Sequence, residues 1–157
     1  MALEIKAARV PLDMDAVKEL FIEYQKWLKL DLWFQGFEEE LASLPGKYAE
    51  PDGKILLAFI NNDLIGGVAM RPLEEEGVCE MKRLFVREKW RGQGVGRNLT
   101  KKILNTAKGV GYSKMRLDTE KRLKIAIKLY QTFGFSEIDQ YYDNPLEDIL
   151  YMEIELT

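Results

Sequence analysis

The run Arg91-Gly92-Gln93-Gly94-Val95-Gly96-Arg97 sets three glycines in alternation between two arginines. It follows a strand-like segment and precedes a helix-like one. Glycine lacks a Cβ, so its backbone adopts positive φ and lets a ligand approach closely. Free N–H groups at a helix N-terminus attract anions, and the helix dipole adds to that attraction. The run therefore reads as a phosphate cradle. A Walker loop needs Gly-Lys-Ser/Thr at its end, and here Gly96-Arg97-Asn98 stands instead. A dinucleotide fingerprint needs a further glycine five positions on, where Arg97 or Leu99 stands. Both nucleotide frames fail.

The 157 residues contain no histidine. Ser-His-Asp and Cys-His catalysis are thereby excluded, as are most zinc sites, and no metal is expected. Acid and base must come from Glu, Asp, Tyr, Lys, Cys or a terminus. The one cysteine, Cys79, cannot form an internal disulfide. Beside Glu80 but alternating to the other strand face, it reads as a small apolar filler. A net charge of −3 gives no basic footprint for nucleic acid. The longest apolar stretch, near residues 55–60, is far too short to span a membrane. With no leader pattern at the start, a cytoplasmic location is expected.

These residues need a scaffold to position them. Residues 3–8 read as a first strand. Asp13 reads as the N-cap of a helix carrying Val17, Leu20, Phe21, Tyr24 and Trp27 or Leu28. A second short helix spans residues 37–44 and stops at Pro45-Gly46. Residues 54–60 and 64–70 form a hairpin about Asn61-Asn62-Asp63. Residues 78–86 alternate, with Val78, Glu80, Lys82, Leu84 and Val86 on one face and Cys79, Met81, Arg83 and Phe85 on the other. A helix from Val95 carries Leu99, Ile103 and Ala107 inward and ends at Gly109 or Gly111. A short strand over 114–117, a helix over 121–133, a strand over 135–138 and a last strand over 149–156 follow. The expected fold is a single α/β domain over residues 1–157. Its mixed, mostly antiparallel sheet of about seven strands has helices on both faces.

Arg91, Gly94 and Gly96 fill the pattern Arg-x-x-Gly-x-Gly, and Leu129-Tyr130-Gln131-Thr132-Phe133-Gly134-Phe135 fills Leu-Tyr-x-x-x-Gly-Phe. With the strand Met81–Val86, these runs resemble the GNAT family of acetyl-CoA-dependent N-acetyltransferases over nearly the whole chain. One departure stands out. Leu123 occupies a position where many members carry Asn.

The resemblance implies direct transfer of acetyl from acetyl-CoA, the cosubstrate, to a primary amine of a small molecule. It places the coenzyme pyrophosphate on Gly92, Gln93, Gly94, Val95 and Gly96, with Arg91 and Arg97 adding charge. In the family a bulge splays the fourth strand from the fifth, and the pantetheine arm pairs with Leu84, Phe85 and Val86 as an added strand. Tyr130 matches the family tyrosine that protonates the leaving thiolate and contacts the cofactor. It also sits on the core face of its helix, and the two readings are compatible. Glu80 is the candidate base, with pairing to Lys82 or Arg116 as the bland reading. Phe34, Gln35, Tyr48 and Tyr142 fall in loops expected to line the substrate site. Arg71 and Arg83 suit an acceptor carboxylate or ordinary ion pairs. A protein amine acceptor, or a non-catalytic acetyl-CoA-binding regulatory protein, is the alternative. The family's pairing through its last strands makes a homodimer an expectation.

Overall fold

The structure is a computed structural model that describes residues 2–32 and 35–157. Trp33 and the expected substrate residue Phe34 lie outside the described residues. In chain order the elements are β1 (Leu3–Ala7), α1 (Met14–Leu28), α2 (Phe37–Ser43), β2 (Lys54–Ile60), β3 (Asp63–Pro72) and β4 (Val78–Val86). Then follow α3 (Val95–Val110), β5 (Lys114–Glu120), α4 (Lys124–Phe133), β6 (Ser136–Ile138) and β7 (Ile149–Glu155). The strands form one seven-stranded sheet ordered β1-β2-β3-β4-β5-β7-β6. Among the described residues only the β4–β5 pairing is parallel. Among the described residues no helix is long and apolar enough to cross a membrane.

Each sheet face has its own apolar cluster. α1 turns Val17, Leu20, Phe21 and Leu28 inward onto Leu57, Ala69 and Phe85. α3 turns Val95, Leu99, Ile103 and Ala107 onto the opposite face, where Tyr130 of α4 joins Leu56, Met70, Cys79 and Met81. The spacing of three, four and seven residues puts those side chains on one helical face. Asp13 stands at the N-cap of α1 but makes no capping bond. Its carboxylate instead accepts from the Arg9 backbone N–H and guanidinium. The hairpin turn places Asn61 and Asn62 at φ 51° and 67°, the left-handed pair that matches strand twist.

Two features of β4 and β5 prepare the site. First, β3 and β4 pair Gly67 with Phe85 and Ala69 with Lys82, so β4 carries one extra residue. Arg83 sits in this bulge at φ 62°. A non-glycine residue there stores roughly 1–3 kcal/mol. Tertiary contacts hold it. Arg83 donates to both oxygens of Glu40 at 3.0 and 2.8 Å and to Gln35 Oε1 at 2.7 Å. The extra residue switches the alternation. Leu84 and Val86 pack into the cluster of Cys79 and Met81, while Phe85 enters the α1 cluster. The unbroken alternation expected for residues 78–86 is thereby corrected.

Second, β4 and β5 pair only at Val78–Lys114, Cys79–Met115 and Glu80–Arg116. Beyond Glu80 they diverge. β5 keeps its other edge on β7 as far as Glu120–Ile149. That ladder extends β5 three residues past the expected end at Leu117, and α4 begins at Lys124 rather than Lys121.

Candidate active site

The gap between β4 and β5 holds two cavities that meet. The larger, about 640 Å³, lies on the α3 side. Leu84, Phe85, Val86, Arg91, Gly92, Gly94, Val95, Gly96 and Arg97 all line it. Gly92 and Gly94 take φ 78° and 84°, a backbone geometry that an L side chain opposes. α3 then begins at Val95, and its first-turn N–H groups have no acceptor within the helix. The Arg91 Nε donates to the Val86 carbonyl at 2.8 Å, and its guanidinium lies 4.6 Å from the Trp27 ring. Arg97 lies 5.4 Å over Phe133. Arg122 and Lys124 complete four cationic lining residues, and no carboxylate lines the cleft among the described residues. In a chain of net charge −3, this is a local field suited to a polyanion such as the phosphates of coenzyme A. Gln93 is exposed and lies off the lining.

The smaller cavity, about 110 Å³, shares Trp27, Leu84, Leu123 and Ala126 with the cleft. Leu123, the apolar residue at the Asn position, stands at this junction. Tyr130 lines the smaller cavity rather than the cleft. It is 7% exposed and packs edge-on against Phe135 at 5.8 Å. Burial pushes its phenol above the ordinary tyrosine value, so it stays protonated at neutral pH. Burial likewise pushes Tyr24 up to about 12.

The polar wall comes from several elements. Lys82 of β4 has its side chain 5% exposed and donates to Gln35 Oε1 at 3.0 Å. Burial lowers its pKa from the usual lysine range, while Asp118 and Glu80 pull it back. Asp118 of β5, 13% exposed, accepts a hydrogen bond from the Tyr142 hydroxyl and lies 3.8 Å from Lys82 Nζ. Asn144 Nδ2 donates to Tyr142 at 3.0 Å. Leu28, Leu30, Leu32, Leu146 and Ile149 form the apolar wall.

The expected substrate residues divide. Gln35 lines the smaller cavity, and Tyr142 supports it from behind through Asp118. Tyr48 does not line it; it is buried against Phe21 at 6.0 Å and borders, with Arg71, a third cavity that also reaches Gln35. Phe34 lies outside the described residues. Glu80 is 1% exposed and does not line the cavity. One of its oxygens accepts from Arg71 at 2.9 Å, the other from the Tyr141 hydroxyl at 2.5 Å. Its partners are Arg71 and, at 4.0 Å, the expected Lys82, while Arg116 turns to Glu153 and Glu75. The Cys79 thiol faces the other side, donates to the Lys114 carbonyl at 3.5 Å and is pushed up to about 12 by burial.

The family model described as "Acetyltransferase (GNAT) family" matches residues 14–135. This chain belongs to the GNAT family. An uncharacterised N-acetyltransferase of Schizosaccharomyces pombe is 40% identical over 156 residues, covering 99% of this chain and 96% of that protein. A GNAT acetyltransferase of Staphylococcus aureus shares the fold with a TM-score of 0.81 at 23% identity, covering 99% of this chain and all of that one. A PaiA N-acetyltransferase of Thermoplasma acidophilum, solved in complex with coenzyme A, shares it with a TM-score of 0.76 at 19% identity and 99% coverage of both. The chain is thus a GNAT-type acyltransferase, with the mixed sheet expected of that fold.

Within this GNAT architecture, the residue that sequence reasoning missed is Asp118. Ending β5 at Leu117 left it in a presumed loop. The signal was present: Lys114, Arg116, Asp118 and Glu120 alternate with Met115, Leu117 and Thr119, which is strand periodicity through residue 120.

Proposed function

We propose that this protein transfers the acetyl group of acetyl-CoA directly to the primary amine of a small molecule. The observation that carries this reading is the junction at Leu84, Leu123 and Ala126, where a cationic glycine-loop cleft meets a small cavity walled by Tyr130, Lys82 and Asp118. The first-turn N–H groups of α3 hold the pyrophosphate, aided by Arg91 and Arg97. Beyond Glu80 the β4 edge has no partner on the β5 side, so the backbone of Leu84, Phe85 and Val86 pairs with the pantetheine amides. Bound acetyl-CoA supplies the activated acyl carbon.

The chain's own residues then manage two protons. As the N–C bond forms and the C–S bond breaks, one proton leaves the amine and one arrives at the departing sulfur. Tyr130, buried and protonated, donates to the sulfur. Asp118 orients the amine and accepts its proton. In this reading Glu80, its oxygens already engaged by Arg71 and Tyr141, anchors the wall and does not serve as base. A cavity of about 110 Å³ supports a small acceptor over a protein surface. The test is ligand-induced stabilisation. Acetyl-CoA raises the melting temperature by mass action, while ATP and NAD do not. An equal shift with NAD contradicts the reading.

A further inference from the structure

Lys82 is buried where a charge is expensive, and its neighbours leave it unfinished. The other cations nearby are spent: Arg71 on Glu80, Arg83 on both oxygens of Glu40, Arg116 on Glu153 and Glu75, and Arg122 on Glu120. Lys82 donates to the neutral amide oxygen of Gln35 at 3.0 Å, whereas Asp118 and Glu80 stand off at 3.8 and 4.0 Å. Those separations exceed a hydrogen bond. An ammonium has three donors, so among the described residues two remain for the cavity. Asp118 is also half-spent, since Tyr142 takes Oδ2 while Oδ1 faces Lys82.

A cation and an anion thus stand side by side, each with capacity toward the same cavity. The complementary ligand carries a carboxylate and an ammonium one carbon apart. A simple alkylamine satisfies Asp118 but leaves Lys82 with one hydrogen bond, to Gln35, and two long ion pairs, to Asp118 and Glu80, a poor set of partners for a buried ammonium. A lysine side chain has the same defect, because it brings no carboxylate. Most of the rest of the wall, including Leu28, Leu30, Leu32, Leu146 and Ile149, offers a side chain apolar contact, while Glu120 on the same lining is engaged by Arg122.

We infer that the acceptor is an α-amino acid with an apolar side chain, its carboxylate received by Lys82 and its amine by Asp118. This rests on the N-acetyltransferase reading above and names its substrate class. Lys82 is then the specificity-determining residue. The carboxylate takes the Lys82 donors that Gln35 does not use.

The test compares L-leucine with L-leucinamide and isopentylamine on the wild-type enzyme with acetyl-CoA. Released thiol and acetylated product are measured, and rates are expressed per concentration of free-base amine. The expected result is kcat/KM for leucine at least about tenfold above leucinamide, the scale of a charge-assisted hydrogen bond, with isopentylamine no better than the amide. Lys82→Met brings the acid-to-amide ratio near one, and Lys82→Arg keeps part of it. The wild-type comparison decides the matter even where a variant fails to fold. Leucinamide or isopentylamine used as well as leucine overturns the inference and leaves the N-acetyltransferase reading standing, as does a loss in Lys82→Met that is equal for acid and amide. Thiol release with no dependence on any amine overturns both.

Discussion

The coenzyme cleft and the acceptor cavity share a wall yet are made of different material. One edge of the cleft is a single stretch of chain, from Leu84 to Arg97, acting through backbone N–H groups, two left-handed glycines and flanking arginines. The smaller cavity is assembled from side chains of α1, β4, β5, α4, β7 and the three connections that carry Gln35, Leu123 and Asn144, from Tyr24 to Ile149. In the proposed reading the first holds a cofactor common to a family and the second selects one substrate class. A backbone site is insensitive to most side-chain changes and intolerant at its glycines. A side-chain site is the reverse.

The largest expected effect lies where the two regions meet. Tyr130→Phe removes the proposed proton donor and is expected to lower kcat by roughly 10²–10⁴-fold, the usual scale of general acid catalysis, while acetyl-CoA affinity changes little. Steady-state rates beside a direct binding measurement check this, and unchanged turnover removes the acid role. Next is Asp118→Asn, which lowers kcat/KM for the acceptor by about 10²-fold and preserves the acetyl-CoA thermal shift. Glu80→Gln serves as its counterpart. It lowers the melting temperature by weakening the buried contact with Arg71, because a buried pair broken on one side is destabilising. A larger rate loss in Glu80→Gln than in Asp118→Asn would reverse their assigned roles.

Gly94→Val tests the cleft alone. The space beside Gly94 is ordinary, with Asn98 Nδ2 at 3.7 Å from a built Cβ, so the strain comes from φ 84°. That conformation costs roughly 1–2 kcal/mol for an L residue, which weakens acetyl-CoA by about tenfold in a titration and leaves acceptor preference unchanged.

The smallest effect concerns Lys82 and stability. Desolvation lowers its pKa in the folded chain, Arg83 and Arg71 add to that, and Asp118 and Glu80 oppose it. Between the lowered folded value and the unfolded value of 10.5, the unfolded chain binds more protons. Stability therefore rises with pH in that window, and the burial penalty is felt in full below it. Denaturant midpoints measured from neutral pH to about pH 10 show this rise in the wild type and a flatter profile in Lys82→Met.

The same division explains what was legible. β2 and β4 carry their expected bounds, and the glycine loop sits where the motif put it, because local periodicity and φ preferences determine them. The bulge at Arg83 has no local cause, since arginine does not favour φ 62°. Glu40 and Gln35, more than forty residues away, hold it there. Reversing the faces of Leu84 and Val86 therefore lay beyond a local reading. Asp118 was obscured because pairing with β7 extends β5. Gln35, expected from loop chemistry, lines the smaller cavity, whereas Tyr142 reaches it only through Asp118. Tyr48, of the same type and also near a loop, packs into the core instead.

The central claim is amine-dependent acetyl transfer at the junction of the two cavities. Its most direct measurement is coenzyme A thiol release by the wild-type protein with and without an amine acceptor, paired with mass detection of the acetylated product. The account predicts negligible release without amine and one acetylated amine per thiol with it. Equal release in both conditions, or release without acetylated product, would contradict it.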